Sequence, residues 1–177
     1  MRWNLRSNLS GGSKYAPTLE DSFSDDFVGK LVRVLWGTAI HPSLIHGLRS
    51  SNLVRDHELG LVLEWPRTKH GRWVRVPVSG SLLPWLPEWL DSRKPRRRQT
   101  YDHILKRLAE EVEERTGRRI HLSALRLRHG AIVRWYHHHH LTAQEVCDLA
   151  GTTWRTIQTY ATRPPEQVAT KLREEKF

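Results

Sequence analysis

Four separated residues carry the chemistry this sequence can perform. Arg49 follows Gly47-Leu48 and precedes Ser50-Ser51-Asn52-Leu53. Lys69 sits in Arg67-Thr68-Lys69-His70-Gly71-Arg72, eight residues before Pro77. Arg128 lies in Leu125-Arg126-Leu127-Arg128-His129, and Tyr160 comes nine residues after the glycine of Leu149-Ala150-Gly151. Together they suit phosphoryl transfer. An arginine fork holds two phosphate oxygens and stabilises the charge added in the transition state. A lysine can protonate a leaving alkoxide, and a tyrosine can be a covalent nucleophile. Taken singly, the arginines read as solvated surface residues, Lys69 as a turn residue and Tyr160 as a core or capping aromatic. The order and spacing carry the functional reading.

The elements that must position these residues follow from periodicity. A helix is expected from Asp25-Asp26, with acids at its N-terminus and Phe27, Leu31, Val34 and Leu35 on one face. Pro42 interrupts it, and a short helix is expected from Ser43 to about Val54. At Leu59 the period changes to two. Leu61, Leu63 and Trp65, a turn at Lys69-His70-Gly71, and Trp73 to Val78 predict an antiparallel hairpin. Ser81 to Leu90 is a Trp/Leu-rich helical or irregular stretch broken by Pro84 and Pro87. A long amphipathic helix is expected from Gln99 to Thr116, stopped by Gly117. Another is expected from Ser123 to His137. Thr142-Ala143-Gln144-Glu145 is a capping box opening a helix that ends at Gly151. A short helix from Thr153 to Tyr160 and a last one from Glu166 to Glu175 flank Pro164-Pro165. Trp36, Trp65, Trp73, Trp85, Trp89 and Trp135 are expected in the core. The fold class is α+β, mostly helical with a small antiparallel sheet. Residues 1–24 read as a flexible arm and 25–177 as one domain.

In this order the motifs resemble those of the tyrosine recombinase (phage integrase) family. Its pattern is a Gly-Leu-Arg-x-Ser-Glu-Leu box, a hairpin lysine before Val-Pro, an His-x-x-Arg box, a Leu-Gly-His box and a nucleophilic tyrosine. The resemblance runs from Phe27 to the C-terminus and implies a tyrosine recombinase catalytic-domain-like fold. It implies DNA strand cleavage through a 3′-phosphotyrosyl link, with no cofactor and no metal. Arg49 and Arg128 would clamp the scissile phosphate, Lys69 would be the general acid and Tyr160 the nucleophile. Two histidines of the family pattern are absent. Leu125 stands at the first box, and Thr152 follows Gly151, where it would meet phosphate. Asn52 takes the position of an acid. His121 and His129 are the candidate bases. The resemblance further implies double-stranded DNA as partner and self-association in a tetrameric synapse, with residues 161–177 docking on a neighbouring subunit. The roughly 25 residues before the first matching helix are too few for the separate DNA-clamping domain the family uses, so the chain reads as an excised catalytic domain or a short relative.

Charge and composition point the same way. The 177 residues hold 29 Lys+Arg against 19 Asp+Glu, a formal charge of +10 that favours a polyanion. Arg93, Lys94, Arg96, Arg97 and Arg98 form the densest basic run, suited to the DNA backbone. No apolar run reaches the roughly 18 residues of a membrane span, and no signal-peptide core opens the chain. Neither a membrane nor a small-molecule substrate is expected. The expected location is cytoplasmic and nucleoid-associated, or intracellular and encoded by a virus or plasmid. The single cysteine, Cys147, excludes a disulfide framework and a multi-cysteine zinc site. His137 and His140 share a helix face, but without an acid or thiol nearby they read as a polar helix end. Thr142 to Tyr160 also reads as a helix-turn-helix, with Cys147 at the small position, Gly151 in the turn and Ile157 buried. That unit would set Trp154, Arg155 and Gln158 in a major groove, the mark of a DNA-binding regulator or a non-catalytic recombinase relative.

Overall fold

The computed structural model describes residues 26–66, 73–92, 98–117 and 119–161. The hairpin turn with Lys69, most of the basic run at 93–97 and the expected helix at 166–175 lie outside them. Helix α1 spans Phe27–Thr38, and the Asp26 carboxylate accepts the Gly29 N–H at 2.8 Å, which satisfies one orphan donor of the first turn. Leu31, Val32, Val34 and Leu35 face the core. The helix ends at Ala39, which turns left-handed (φ 48°) ahead of Pro42.

The helix expected over 43–54 is absent. Two single turns, Ile45–Gly47 and Ser50–Asn52, take its place, and Leu53–Asp56 forms strand β1. Asn52 supplies the physical reason. Its side chain bonds the backbone of its own turn and of the next strand, an alternative to helical hydrogen bonds.

Strands β1, β2 (Gly60–Pro66) and β3 (Trp73–Pro77) form an antiparallel sheet in that order. Trp65 pairs with Val74 and Leu63 with Val76, which sends this row of side chains into the core. Pro66 pairs with Trp73 and Glu64 with Arg75 on the other face. Trp73 is therefore 60% exposed, against the core position expected for it. Along β3 it shares a face with Arg75 rather than with Val74 and Val76, and that alternation decides this. On that outer face Arg75 bridges Asp56 at 2.9 Å and Glu64 at 3.3 Å, joining all three strands. The backbone N–H groups of Leu59 and Glu58, and then Arg75, hold the Asp56 carboxyl below its ordinary value.

Helix α2 spans Leu86–Ser92, α3 Arg98–Thr116, α4 Ala124–His137, α5 Ala143–Ala150 and α6 Trp154–Ala161. The expected caps are in place. Ser123 accepts the Arg126 N–H, and Thr142 and Glu145 complete a capping box. Helix α4 lies against α1, where Gly130 meets the Trp36 ring so closely that an added Cβ would sit 2.4 Å from it. Trp65, Trp89 and Trp135 are buried, while Trp36 and Trp85 are half-buried. No helix among the described residues is long and apolar enough to cross a membrane.

Candidate active site

Arg128 is not a surface residue. It sits in the second turn of α4 with 5% of its area exposed. Its Nη1 donates to the Ala39 carbonyl and its Nη2 to the Ala150 carbonyl at 2.8 Å. These carbonyls end α1 and α5. The guanidinium thus joins two helix C-termini, where the backbone carries partial negative charge. The two bonds fix the plane of the fork.

The end of α5 is built for this contact. Gly151 is left-handed (φ 60°), its N–H reaches the Asp148 carbonyl at 3.3 Å, and the Thr152 N–H reaches the Cys147 carbonyl at 3.0 Å. This pair of bonds is a Schellman closure, and it leaves the last carbonyl, Ala150, to Arg128. Thr152 is thereby placed two residues from the carbonyl that holds Arg128, on the same helix end. Gly151 also touches β3, since a Cβ there would lie 2.6 Å from a Val74 methyl.

Arg49 sits between the two short turns. Its Nη1 donates to the Leu48 carbonyl at 2.7 Å and the His46 carbonyl at 3.2 Å. Among the described residues its Nε and Nη2 make no hydrogen bond, so one edge of the fork is open to two oxygens of a phosphate. Its backbone N–H donates to Asn52 Oδ1 at 2.9 Å, and Asn52 Nδ2 donates to the Glu64 carbonyl of β2 at 3.0 Å. The next N–H, of Ser50, donates to Asp91 of α2 at 2.9 Å. The hydrogen bonds from Ser50, and then the charge of Arg49, hold Asp91 below the usual carboxylate range. Asp91 and the carbonyls of Ala39 and Ala150 are supports that sequence reasoning missed. Each acts from 22 to 89 residues away from the group it holds, and no local pattern marks it.

The remaining candidates are scattered. Tyr160 belongs to the last turn of α6, which packs on α4. Trp154, 44% exposed, opens α6 with its ring 6.4 Å from that of Tyr136, and Arg155 and Gln158 are exposed beside it. Ile157 is fully buried and Cys147 nearly so, the burial pattern of the helix-turn-helix reading. His129 adjoins Arg128 in sequence but points about 100° around the helix from it. Burial, and then the Arg128 charge, push its pKa down, so its protonated form is disfavoured where it stands. His121 is exposed in the loop before α4 and lines a cleft of about 360 Å³ with Lys106, Arg119 and Arg126, a cleft that contains neither Arg49 nor Arg128. Lys69 and the basic residues Arg93, Lys94, Arg96 and Arg97 fall outside the described residues, and Arg98 opens α3. Among the described residues no group of three metal-ligating side chains assembles, around His137 and His140 or elsewhere.

No protein-family profile and no curated protein sequence matches the chain. Solved structures do. The Tn1549 transposon integrase in complex with a circular intermediate DNA superposes with a TM-score of 0.64 at 15% identity, over 97% of this chain and 68% of that one. The XerH site-specific recombinase in a post-cleavage complex with palindromic difH substrate gives 0.61 at 14% identity, over 84% of this chain and 46% of that one. The XerA recombinase gives 0.57 at 13%, over 88% and 65%. The fold is that of the tyrosine recombinase catalytic domain, as the sequence motifs led one to expect. The chain spans less than half the length of the XerH chain.

Proposed function

We propose that this chain is the catalytic domain of a DNA recombinase or integrase that cuts and rejoins strands through a phosphotyrosine. The observation that carries the reading is the anchoring of the two motif arginines. On a recombinase fold, Arg49 and Arg128 are each oriented by hydrogen bonds to backbone carbonyls, and Thr152 lies on the helix end that holds the second.

In the proposed reaction the Tyr160 hydroxyl gives up its proton and attacks the scissile phosphorus. A P–O bond to tyrosine forms, and the bond to the 5′-oxygen breaks. Lys69 donates a proton to the leaving oxygen. Arg49 and Arg128, with Thr152, hold the non-bridging oxygens and the added charge. A free tyrosine has a pKa near 10, so proton removal needs a base, for which His129 and His121 are the two candidates. A 5′-hydroxyl from a partner strand then attacks the phosphotyrosine and releases Tyr160. The covalent link stores the energy of the broken bond, so no nucleotide or metal is required. Arg93, Lys94, Arg96, Arg97, Arg98, Trp154 and Arg155 hold the duplex. Exchange between two duplexes calls for a tetrameric synapse, with residues 161–177 docking on a neighbour. The theme fits a mobile element such as the transposon of the first structural neighbour.

The test is a DNA substrate nicked near the cleavage site, which traps the covalent complex. Wild type is expected to form protein–DNA adduct and Tyr160→Phe none. Adduct persisting in Tyr160→Phe removes the nucleophile from this position. A wild type that binds the DNA but forms no adduct supports the second reading, a DNA-binding protein without catalysis, which the exposed Trp154, Arg155 and Gln158 on α6 favour.

A further inference from the structure

We infer that Asn52 is the positioning residue for Arg49, and that it ties the arginine to the central strand β2. The inference rests on the catalytic reading above. Asn52 closes the turn Ser50–Asn52 and makes two bonds of opposite sense. Its Oδ1 accepts the Arg49 N–H, and its Nδ2 donates to the carbonyl of Glu64 in the middle of β2. Strand β2 ends at Pro66, three residues before Lys69. One side chain thus couples the arginine turn to strand β2, which precedes Lys69 in sequence.

The amide is what makes this possible. A carboxylate accepts but does not donate. An acid at this position, as the family motif has, would keep the bond from Arg49 and would set a negative oxygen against the Glu64 carbonyl. This chain therefore departs from the motif in a way that adds a tether. The other face of the same turn is held by Asp91, which accepts the Ser50 N–H. The backbone of Arg49 and Ser50 is thus held from two elements, at Arg49 by Asn52, which is tied to β2, and at Ser50 by Asp91 of α2. Its side chain is folded back on the Leu48 and His46 carbonyls, so the backbone on both sides of Arg49 sets where its open edge points. A displacement of about 1 Å in such a group can cost on the order of 100-fold in rate.

The experiment is a double-mutant cycle between Asn52→Asp and Arg49→Ala, read as the single-turnover rate of adduct formation at saturating DNA. Asn52→Asp retains the acceptor and loses the donor. Its adduct rate is expected to fall about tenfold or more, with DNA affinity within about twofold of wild type. In the Arg49→Ala background the same change is expected to cost nothing further, because the residue it positions is gone. A general loosening of the fold would instead multiply the two effects. An Asn52→Asp rate equal to wild type, or multiplicative effects, overturns the inference. If wild type itself makes no adduct, the catalytic reading fails, and the tether is judged by amide exchange. Asn52→Ala, which removes both bonds, is expected to lower protection of the Arg49 amide at least tenfold while the β2–β3 pairs keep theirs. Unchanged protection at Arg49 overturns the tether as well.

Discussion

At the residue scale, the two arginines solve one problem in different ways. Arg49 spends one nitrogen on carbonyls of the residues just before it and keeps the other edge open. Arg128 spends both terminal nitrogens on carbonyls that are remote in sequence, one at each of two helix ends. Burying a guanidinium is costly unless its hydrogen bonds are made, and here they are made to the negative ends of helices. Arg128 therefore has a structural duty beside its proposed catalytic one. Arg128→Lys keeps the charge but not the planar fork, and a single ammonium point cannot replace the two directed bonds. At least one buried carbonyl loses its donor. The expected cost is about 1–3 kcal/mol, or a fall in Tm of roughly 2–10 °C for a chain of this size. Thermal unfolding of the two proteins without DNA checks this. An unchanged Tm would show that the two carbonyls do not depend on Arg128. The position of Arg128 in a motif was legible in the sequence. Its burial was not, because the partners are backbone atoms that any residue type supplies.

At the element scale, the turns that place these side chains are the sensitive parts. Gly151 combines a left-handed backbone with close contact to Val74, and it ends the helix whose last carbonyl receives Arg128. Gly151→Ala is expected to destabilise the protein by roughly 1–2 kcal/mol from the backbone alone. The methyl must also displace Val74 on β3, which adds to that cost. Denaturant unfolding reads the sum, and a variant as stable as wild type would mean that the helix end is free to reshape. This glycine, the capping box at Thr142 and Glu145, and the cap at Ser123 were all legible, because each is fixed by chemistry within a few residues. The core row of the hairpin was legible for the same reason, since period-two alternation is local. Strand β1 was not. Leu44, Ile45 and Leu48 carry a helical spacing into a polar stretch, and only four residues, Leu53–Asp56, pair with β2. Their conformation is decided by an edge that β2 offers and by the amide of Asn52. Trp73 departs from its expected place on an apolar face, because alternation along β3 sets it outside with Arg75 and opposite Pro66.

At the scale of the whole molecule, the surplus of ten positive charges is unevenly spread. The second half of α3 is acidic, with Glu110, Glu113 and Glu114 exposed. That end opposes a phosphate backbone, whereas the opposite end of α3 begins beside the run from Arg93 to Arg98. The cations then divide by duty. Arg49, Lys69 and Arg128 are proposed to act on one phosphate, where geometry matters more than charge. The basic run is proposed to act on the backbone at large, where charge alone counts. Salt separates the two. Each phosphate neutralised on a duplex contributes about −0.9 to the slope of log affinity against log salt. Replacing Arg93, Lys94, Arg96, Arg97 and Arg98 by alanine is expected to make that slope shallower by about 0.9 for every phosphate left without its cation. The affinities of variant and wild type should converge as salt rises. Arg49→Ala is expected to change the slope by about one at most, while the adduct rate falls on the order of 100-fold and stays measurable. Binding titrations over a salt series measure both variants on one duplex. An unchanged slope after removal of all five cations would take the run out of the DNA interface and require the duplex to lie against another face.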